Sequence, residues 1–415
     1  MMHFLQKIRR LVTRKNGTAK ITEAKTQNDS CTFLQLPADI MYLVFQELES
    51  EHRRVLALTC RALHGFHSMS PNLRNKCLTQ DQHLEYLACI ARSLPEQWVC
   101  DACLKLHPFH PLDTPGRQNA ESMVRPRKLF HPLCKFDIFR SHDHPVDRRH
   151  VQFQHHHVQL ALKHLRLSNK PSEYAKRLLA VHHHDHFDTH DRGLFEQEAE
   201  KREVNTLATR YSVYPRAKMG ADGQLRYLTL STWLYQSDIR PVSLEAMGNM
   251  KICPHMGFEP HYPPSNDLWP EFWCYGYRPD TLAQAIEKAL AQQQDNRIGV
   301  TEIRGACPRC PTDFAIQASP NRVELLVWRD LGPEGSPRSL AWRIHVFNIG
   351  RDCPNDQWNT HGCSTLHHVP GSVRALYDGT DTVAYSCPDG PVKAFPPRIG
   401  KYLTTHEIKP GNMLP

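Results

Sequence analysis

The sequence predicts an α+β protein, in which a small all-helical unit near the N-terminus is followed by a mixed α/β, loop-rich region. Apolar residues recur at helical spacing between positions 36 and 63, whereas β-rich apolar segments follow at Leu225–Leu234, Val323–Trp328 and Ala341–Phe347. The second region contains paired cysteines, which favour a bound metal. The 31 prolines in 415 residues interrupt regular structure, so we expect the metal to stabilise this region.

Composition excludes several classes of protein. The 40% hydrophobic fraction is that of a folded chain rather than a disordered one. No apolar run approaches the ~20 residues that cross a bilayer, and the N-terminus lacks the apolar core of a secretory signal. Fourteen cysteines without an export signal indicate a reducing compartment, so we expect a cytoplasmic or nuclear protein with no membrane-spanning segment.

Residues 1–30 are strongly basic and carry a net +5 of the formal +8 of the chain. We expect a solvated, disordered tail. A mitochondrial targeting helix, a nuclear import signal and an anionic-surface anchor remain open, because apolar residues fall at helical spacing within the tail. The rest of the chain carries only +3, which argues against a large nucleic-acid-binding face.

The segment 31–78 is predicted to contain two short helices joined by a polar turn. Pro37 occupies the expected first helical position, and Asp39 lies in the first turn, where a carboxylate suits the helix dipole. So small a unit cannot bury enough apolar surface by itself and must pack on the chain or on a partner. Its apolar positions are Ile40, Leu43, Val44 and Leu48 in the first helix, and Val55, Leu56, Leu58, Cys60 and Leu63 in the second.

The rest of the chain divides into three parts. Residues 79–240 are predicted to be mostly helical, with helices at 81–93 and 158–178. Residues 241–387 mix strands with a helix at 280–294, and residues 388–415, rich in Pro and Gly, form a loose tail.

Two pairs of metal-binding residue types follow the helical unit. Cys100 and Cys103 form a Cys-x-x-Cys pair, and His131 and Cys134 form a mixed pair further along. A two-residue gap lets both side chains reach one ion, and two pairs complete a tetrahedron of S and N ligands that suits Zn²⁺. His107 and His110 compete for the fourth position. The alternative is four ordinary residues in or near the core, since free cysteine is commonly buried.

A second candidate metal site combines Cys253 and His255 with the Cys-x-x-Cys pair of Cys307 and Cys310. The two halves are distant in sequence, so the fold must bring them together. Cys274 lies between them and is an alternative to His255. A closed four-ligand zinc site of this kind would be structural, because it leaves no coordination position for chemistry.

Five histidines between His182 and His190 form a third cluster. They suit a transition metal if the segment is helical, but few apolar residues are present to hold them rigidly, so we expect a hydrated polar loop. The sequence contains no nucleophile elbow, phosphate loop, dinucleotide fingerprint or His-Glu-x-x-His motif. We therefore expect an interaction protein rather than an enzyme.

The segment Leu36-Pro37-x-Asp39-Ile40, continued by Val44 and Leu48, resembles the start of an F-box. Its continuation Leu56-x-Leu58-Thr59-Cys60-Arg61 matches the second part of that motif. Arg53 departs from the motif, since it stands near a position that is usually apolar.

The chain beyond this segment is similar to a group of fungal F-box proteins. The resemblance extends over about residues 34–376 and implies no catalytic chemistry. The matching blocks are Cys100–His107, Val158–Leu162, Ile252–His255, Cys310–Phe314, Trp328–Gly332 and Gly371–Arg374. Where a second Cys-x-x-Cys is expected, this chain has His131-x-x-Cys134.

The resemblance implies a substrate-receptor subunit of an SCF-type cullin–RING ubiquitin ligase. The helices would bind a Skp-type adaptor, which joins the chain to the cullin, and the C-terminal region would bind a protein substrate. The adaptor-binding residues that it implies are Leu36, Pro37, Ile40, Val44, Leu48, Leu56 and Cys60. The alternative is a zinc-binding nucleic-acid or chromatin-associated protein that uses the basic tail, which the near-neutral body disfavours.

Overall fold

The computed structural model describes residues 31–69, 77–101, 103–111, 113–115, 153–168, 172–185, 207–248, 250–258, 280–294, 302–346 and 365–380. The two predicted tails, residues 1–30 and 388–415, lie outside the described residues, as do His131, Cys134, Cys274, His186 and His190. None of the helices described is both long and apolar enough to span a membrane.

The N-terminal unit contains a 3-10 turn at Thr32–Gln35 and three helices, α1 (Ala38–Glu47), α2 (Ser50–Thr59) and α3 (Arg61–Met69). Pro37 precedes α1 instead of occupying its first turn. The predicted second helix is two helices, because Cys60 adopts an extended backbone (φ −152°, ψ 164°) between α2 and α3. Phe45 and Leu63, both almost fully buried, form the centre of this unit.

A helix and a hairpin follow the N-terminal unit. Helix α4 (Gln80–Ala91) agrees with the predicted 81–93 helix to within two residues at each end. It begins with a capping box, in which the Thr79 hydroxyl accepts from the N–H of Gln82. Strands β1 (Gln97–Cys100) and β2 (Lys105–Pro108) then pair antiparallel.

The helix predicted over 158–178 is two helices, α5 (His155–Leu167) and α6 (Glu173–Leu178). The Ser172 hydroxyl caps α6 by accepting from the N–H of Ala175, so a new helix starts there. Helix α5 holds the β1–β2 hairpin through buried polar groups. Lys163 donates to the carbonyls of Leu94 at 3.2 Å and Gln97 at 2.5 Å.

Six antiparallel strands form the main sheet, in the order β3-β4-β5-β10-β9-β8. The largest hydrophobic core contains residues from before and after position 240, where the sequence predicted a boundary. The two predicted parts therefore share one core. The strands predicted at 225–234 and 323–328 lie inside β5 and β10. The strand bounds are β3 (His182–Asp185), β4 (Leu207–Met219), β5 (Leu225–Ser237), β8 (Glu302–Ala306), β9 (Thr312–Ser319) and β10 (Arg322–Pro333).

Two sequence predictions about this region are wrong. The histidine-rich segment was expected to be a polar loop, yet His182–Asp185 is an edge strand paired with β4. The segment Ala341–Phe347 was expected to be a strand, yet Leu340–Val346 is helix α9. The Ser339 carbonyl starts this helix by accepting from the N–H groups of Trp342 and Arg343.

Helix α9 packs directly on β10. A Cβ at Gly332 would lie only 2.6 Å from the Cβ of Ala341, so the close approach requires glycine there. Trp342 and Ile344 are both buried in the main core. An alternating pattern of seven residues suits a strand or a short helix, and this packing decides in favour of the helix.

The remaining elements surround the β8–β9 turn. A small hairpin, β6 (Met250–Cys253) and β7 (Met256–Phe258), follows the short helix α7 (Leu244–Met247). Helix α8 (Asp280–Gln294) coincides with the predicted 280–294 helix and contacts β7, β8 and β9. Helix α10 (Ser372–Asp378) lies against β9 and β10.

Candidate metal centres

The fold brings together all four residues of the second predicted metal site. The β6–β7 hairpin supplies Cys253 and His255, and the turn between β8 and β9 supplies Cys307 and Cys310. The four candidate ligand atoms lie within 4.8 Å of one another. The cysteines are buried, at 3%, 1% and 0% exposure in chain order. We call this cluster the Cys253 centre.

Backbone hydrogen bonds shape the turn that carries two of its cysteines. The N–H of Cys307 donates to the carbonyl of Thr312 at 2.8 Å, and the N–H of Thr312 donates to the carbonyl of Cys310 at 2.6 Å. The N–H of Arg309 lies 3.4 Å from the Cys307 sulfur and donates to it. This tight turn therefore points both sulfurs at the same point and supplies a donor to one of them.

Burial and mutual hydrogen bonds shift the pKa values of the three thiols of the Cys253 centre in opposite directions. Burial raises the pKa of the Cys253 and Cys310 thiols well above the ordinary value. Hydrogen bonds from these two thiols lower the pKa of Cys307 well below it. Three thiolates in one buried cluster repel one another, so a divalent cation at their centre would stabilise their ionised forms.

The donor set fits zinc. The Nδ1 atom of His255 is buried and has no hydrogen-bond partner among the described residues. Three sulfurs and one imidazole nitrogen are a common structural zinc set, which leaves no coordination position for water or substrate. The ligand atoms of the Cys253 centre are therefore close enough together to hold a metal ion and are compatible with Zn²⁺.

The described residues include only one half of the first predicted metal site. Cys100 and Cys103 come together with His107, and their ligand atoms also lie within 4.8 Å of one another. His107 was one of two competing fourth ligands in the sequence. The other, His110, is not part of this cluster, and His131 and Cys134 lie outside the described residues. We call this cluster the hairpin cluster.

A third cluster was missed by the sequence analysis. The Asp113 carboxylate lies between two adjacent imidazoles, with Oδ2 3.0 Å from His156 Nε2 and Oδ1 3.3 Å from His157 Nε2. All three residues are buried. The run of histidines at 155–157 was its one signal, and the carboxylate is 43 residues away from His156 in the chain.

The third cluster is better explained as an ion-pair network than as a metal site. The backbone N–H of Gln154 donates to Nδ1 of His157, so the proton of the neutral ring is on Nε2 and faces Asp113. A protonated Nε2 cannot bind a metal. Burial alone would raise the pKa of Asp113. The charge and hydrogen bond of His156 and the hydrogen bond of His157 act in the opposite direction. Together they outweigh burial and hold the pKa of Asp113 well below its usual range.

Side-chain-to-backbone hydrogen bonds join distant segments of the chain at two places in the fold. The buried Asp313 carboxylate of β9 accepts from the N–H groups of Gly371, Val373 and Arg374 at 2.9–3.0 Å and so caps α10. In the same way, the side chain of Gln159 in α5 accepts from the N–H of Val99 beside Cys100. These hydrogen bonds hold α10 against β9 and α5 against β1.

The predicted adaptor-binding residues lie in three environments. Pro37 and Ile40 are exposed, Ile40 at 40%. Leu36, Val44 and Leu48 are half-buried. The other two, Leu56 and Cys60, pack around the Phe45–Leu63 core.

Arg53 stays within the unit. Its guanidinium donates to the carbonyls of Leu48 at 2.5 Å and Gln46 at 3.3 Å, so it caps the end of α1.

Comparison with known proteins identifies no relative: no protein-family model, curated protein or solved structure matches the chain.

Proposed function

We propose that this protein is a substrate-receptor subunit of an SCF-type cullin–RING ubiquitin ligase. Its α1–α3 unit would bind the Skp-type adaptor, and its sheet region would bind a protein substrate. The chain itself would catalyse nothing; it would raise the concentration of substrate near the ubiquitin-loaded enzyme. The observation that carries this proposal is the exposed apolar surface of the helical unit.

Helix α1 carries apolar side chains on both its inner and its outer faces. Phe45 is fully buried, whereas Ile40 and Leu43 are 40% and 54% exposed and lie one turn apart on the outer face. Leu58 in α2 is 50% exposed. Exposed apolar side chains one turn apart on a helix suit the groove of a partner.

The seven predicted adaptor-binding residues then have two roles. Pro37 and Ile40, with Leu36, Val44 and Leu48 beside them, would contact the adaptor. Leu56 and Cys60 would support that surface from beneath, since they already pack on the internal core.

Affinity capture with a matched control tests the proposal. Ile40→Ser/Leu43→Ser removes exposed apolar groups and leaves the core intact, so the variant should fold. Each lost anchor should weaken binding by ~2 kcal/mol, or about 30-fold, and adaptor and cullin should disappear from the captured proteins. Ile239→Ser, which changes a 73% exposed side chain outside the helical unit, is the control and should retain both.

Equal capture of the adaptor by the wild type and the double variant would refute the ligase proposal. Candidate substrates should remain bound to the double variant, because they contact a different region. The chromatin-associated alternative predicts a different result. The full chain would bind nucleic acid, a variant lacking residues 1–30 would not, and neither would bind the adaptor.

We also propose that the Cys253 centre holds Zn²⁺ in a structural role. This proposal is independent of the ligase role and rests on the convergence of the four ligands and on the unpartnered Nδ1 of His255. Elemental analysis of protein purified without chelator tests it, with Cys310→Ser as the variant that removes one ligand.

A further inference from the structure

We propose that Cys100, Cys103 and His107 are ligands of a second metal site, which takes a zinc-class divalent ion independently of the Cys253 centre. This proposal goes beyond the ligase role. It also differs from the ligand set predicted from the sequence, which paired Cys100 and Cys103 with His131 and Cys134, because His107 is now a ligand. Cys100 ends β1, Cys103 lies in the hairpin turn, and His107 belongs to β2.

The pairing of the hairpin places the three side chains together. Trp98 pairs with His107 across the ladder, and Cys100 is two residues from Trp98, so Cys100 and His107 share a face. The turn brings the Cys103 sulfur to 2.8 Å from Nε2 of His107. Two sulfurs and one imidazole nitrogen are a set that zinc binds with a fourth ligand or a water.

The imidazole of His107 is held in place before any metal binds. Its ring stacks on Trp98 with centroids 5.0 Å apart, and Trp98 also stacks on His156 at 4.5 Å. His156 is in turn fixed by the buried carboxylate of Asp113. Metal-binding histidines require such orientation by their surroundings, and this stack supplies it.

The backbone next to Cys103 is a second, independent sign. Leu104 has φ +54° and is the one non-glycine residue with positive φ in the described part of the chain. A leucine adopts this conformation at a steric cost, and such strain persists where the surroundings impose it. An ion bound to Cys103 and His107 would impose it, because these two ligands flank Leu104 in the chain.

Among the described residues, no other Cys, His, Asp or Glu joins the hairpin cluster. Cys103 and His107 are both half-buried. This second site is therefore more open than the Cys253 centre, and it would exchange its ion more readily.

Cobalt titration of the full chain tests the proposal. Tetrahedral Co²⁺ gives visible d–d absorption, and each thiolate ligand adds charge-transfer intensity in the near ultraviolet. We expect two Co²⁺ per wild-type chain and one in Cys103→Ser. In His107→Ala the affinity of one ion should fall at least tenfold. His110→Ala is the matched control, because His110 lies two residues beyond the end of β2 and outside the cluster, and it should bind like the wild type.

His107→Cys separates a ligand from a residue that merely supports the fold. If position 107 binds the ion, this variant should keep two Co²⁺ and gain the charge-transfer intensity of one further thiolate. Three results would overturn the proposal: unchanged affinity in His107→Ala, no added intensity in His107→Cys, or recovery of Cys100 and Cys103 as a disulfide that binds no Co²⁺.

Discussion

The Cys253 centre and the hairpin cluster contain the same Cys-x-x-Cys motif in very different settings. In the first, ligands come from two segments more than 50 residues apart, and all three cysteines are buried. In the second, one short hairpin supplies every ligand among the described residues, and two of the three ligands are half-buried. An ion in the first centre would join distant parts of the sheet region, whereas an ion in the second would stabilise one turn.

The largest expected effect is on the Cys253 centre. Cys310→Ser should lower the free energy of unfolding of the sheet region by about 5 kcal/mol or more, because structural zinc contributes its binding energy to folding. Urea unfolding followed by tryptophan fluorescence measures it, with metal content determined in parallel. Cys77→Ser, at an exposed cysteine outside both clusters, should be nearly neutral. Equal effects of the two variants would contradict a structural ion in the Cys253 centre.

The next effect is on the ion-pair network that supports the hairpin cluster. Asp113→Asn should cost about 3 kcal/mol, because it removes the charge that two buried imidazoles face. The depressed pKa of Asp113 means that its contribution is fully present above its unfolded pKa of ~3.9 and is lost as pH falls towards the folded pKa.

Stability measured from pH 7 down to pH 3 checks this prediction. The difference between the wild type and Asp113→Asn should be constant at the upper end and shrink below about pH 4. A difference that grows as pH falls would contradict the assignment of a buried carboxylate.

Cys103→Ser should have a smaller effect than Cys310→Ser, on the order of 2 kcal/mol, since only the hairpin and its contact with α5 depend on it. Hydrogen exchange of the β1–β2 amides should quicken, while amides of β9 and β10 keep their protection. Loss of protection throughout the sheet would show that the two sites are coupled, contrary to the comparison.

The smallest effect is expected at the strained turn. Leu104→Gly should destabilise the protein by ~1–2 kcal/mol less than Leu106→Gly, because both variants lose a half-buried leucine that packs on the same apolar cluster and only the change at 104 relieves left-handed strain. Thermal unfolding of the protein purified without chelator measures the difference between the two variants. Equal destabilisation by the two variants would contradict a strained backbone at Leu104.

Local pattern predicted the elements whose period was long and clear. The helix at 280–294 and the strands around 225–234 and 323–328 were found as expected, because 3.6- and 2-residue periods decide which face is buried. Short segments were less well determined. Residues 341–347 alternate like a strand, yet contact with β10 makes them helical. The histidines at 182–185 are polar, yet the free edge of β4 recruits them into the sheet.

The sequence by itself determined the candidate ligands, since a two-residue gap between cysteines already restricts them to one ion. Only the tertiary structure decided which of them meet. The sheet brings Cys253 and His255 to Cys307, the hairpin register selects His107 over His110, and the packing of α5 joins Asp113 to His156 and His157. The physical reason is that side-chain period is a property of neighbouring residues, whereas contact between distant segments depends on how a whole core packs.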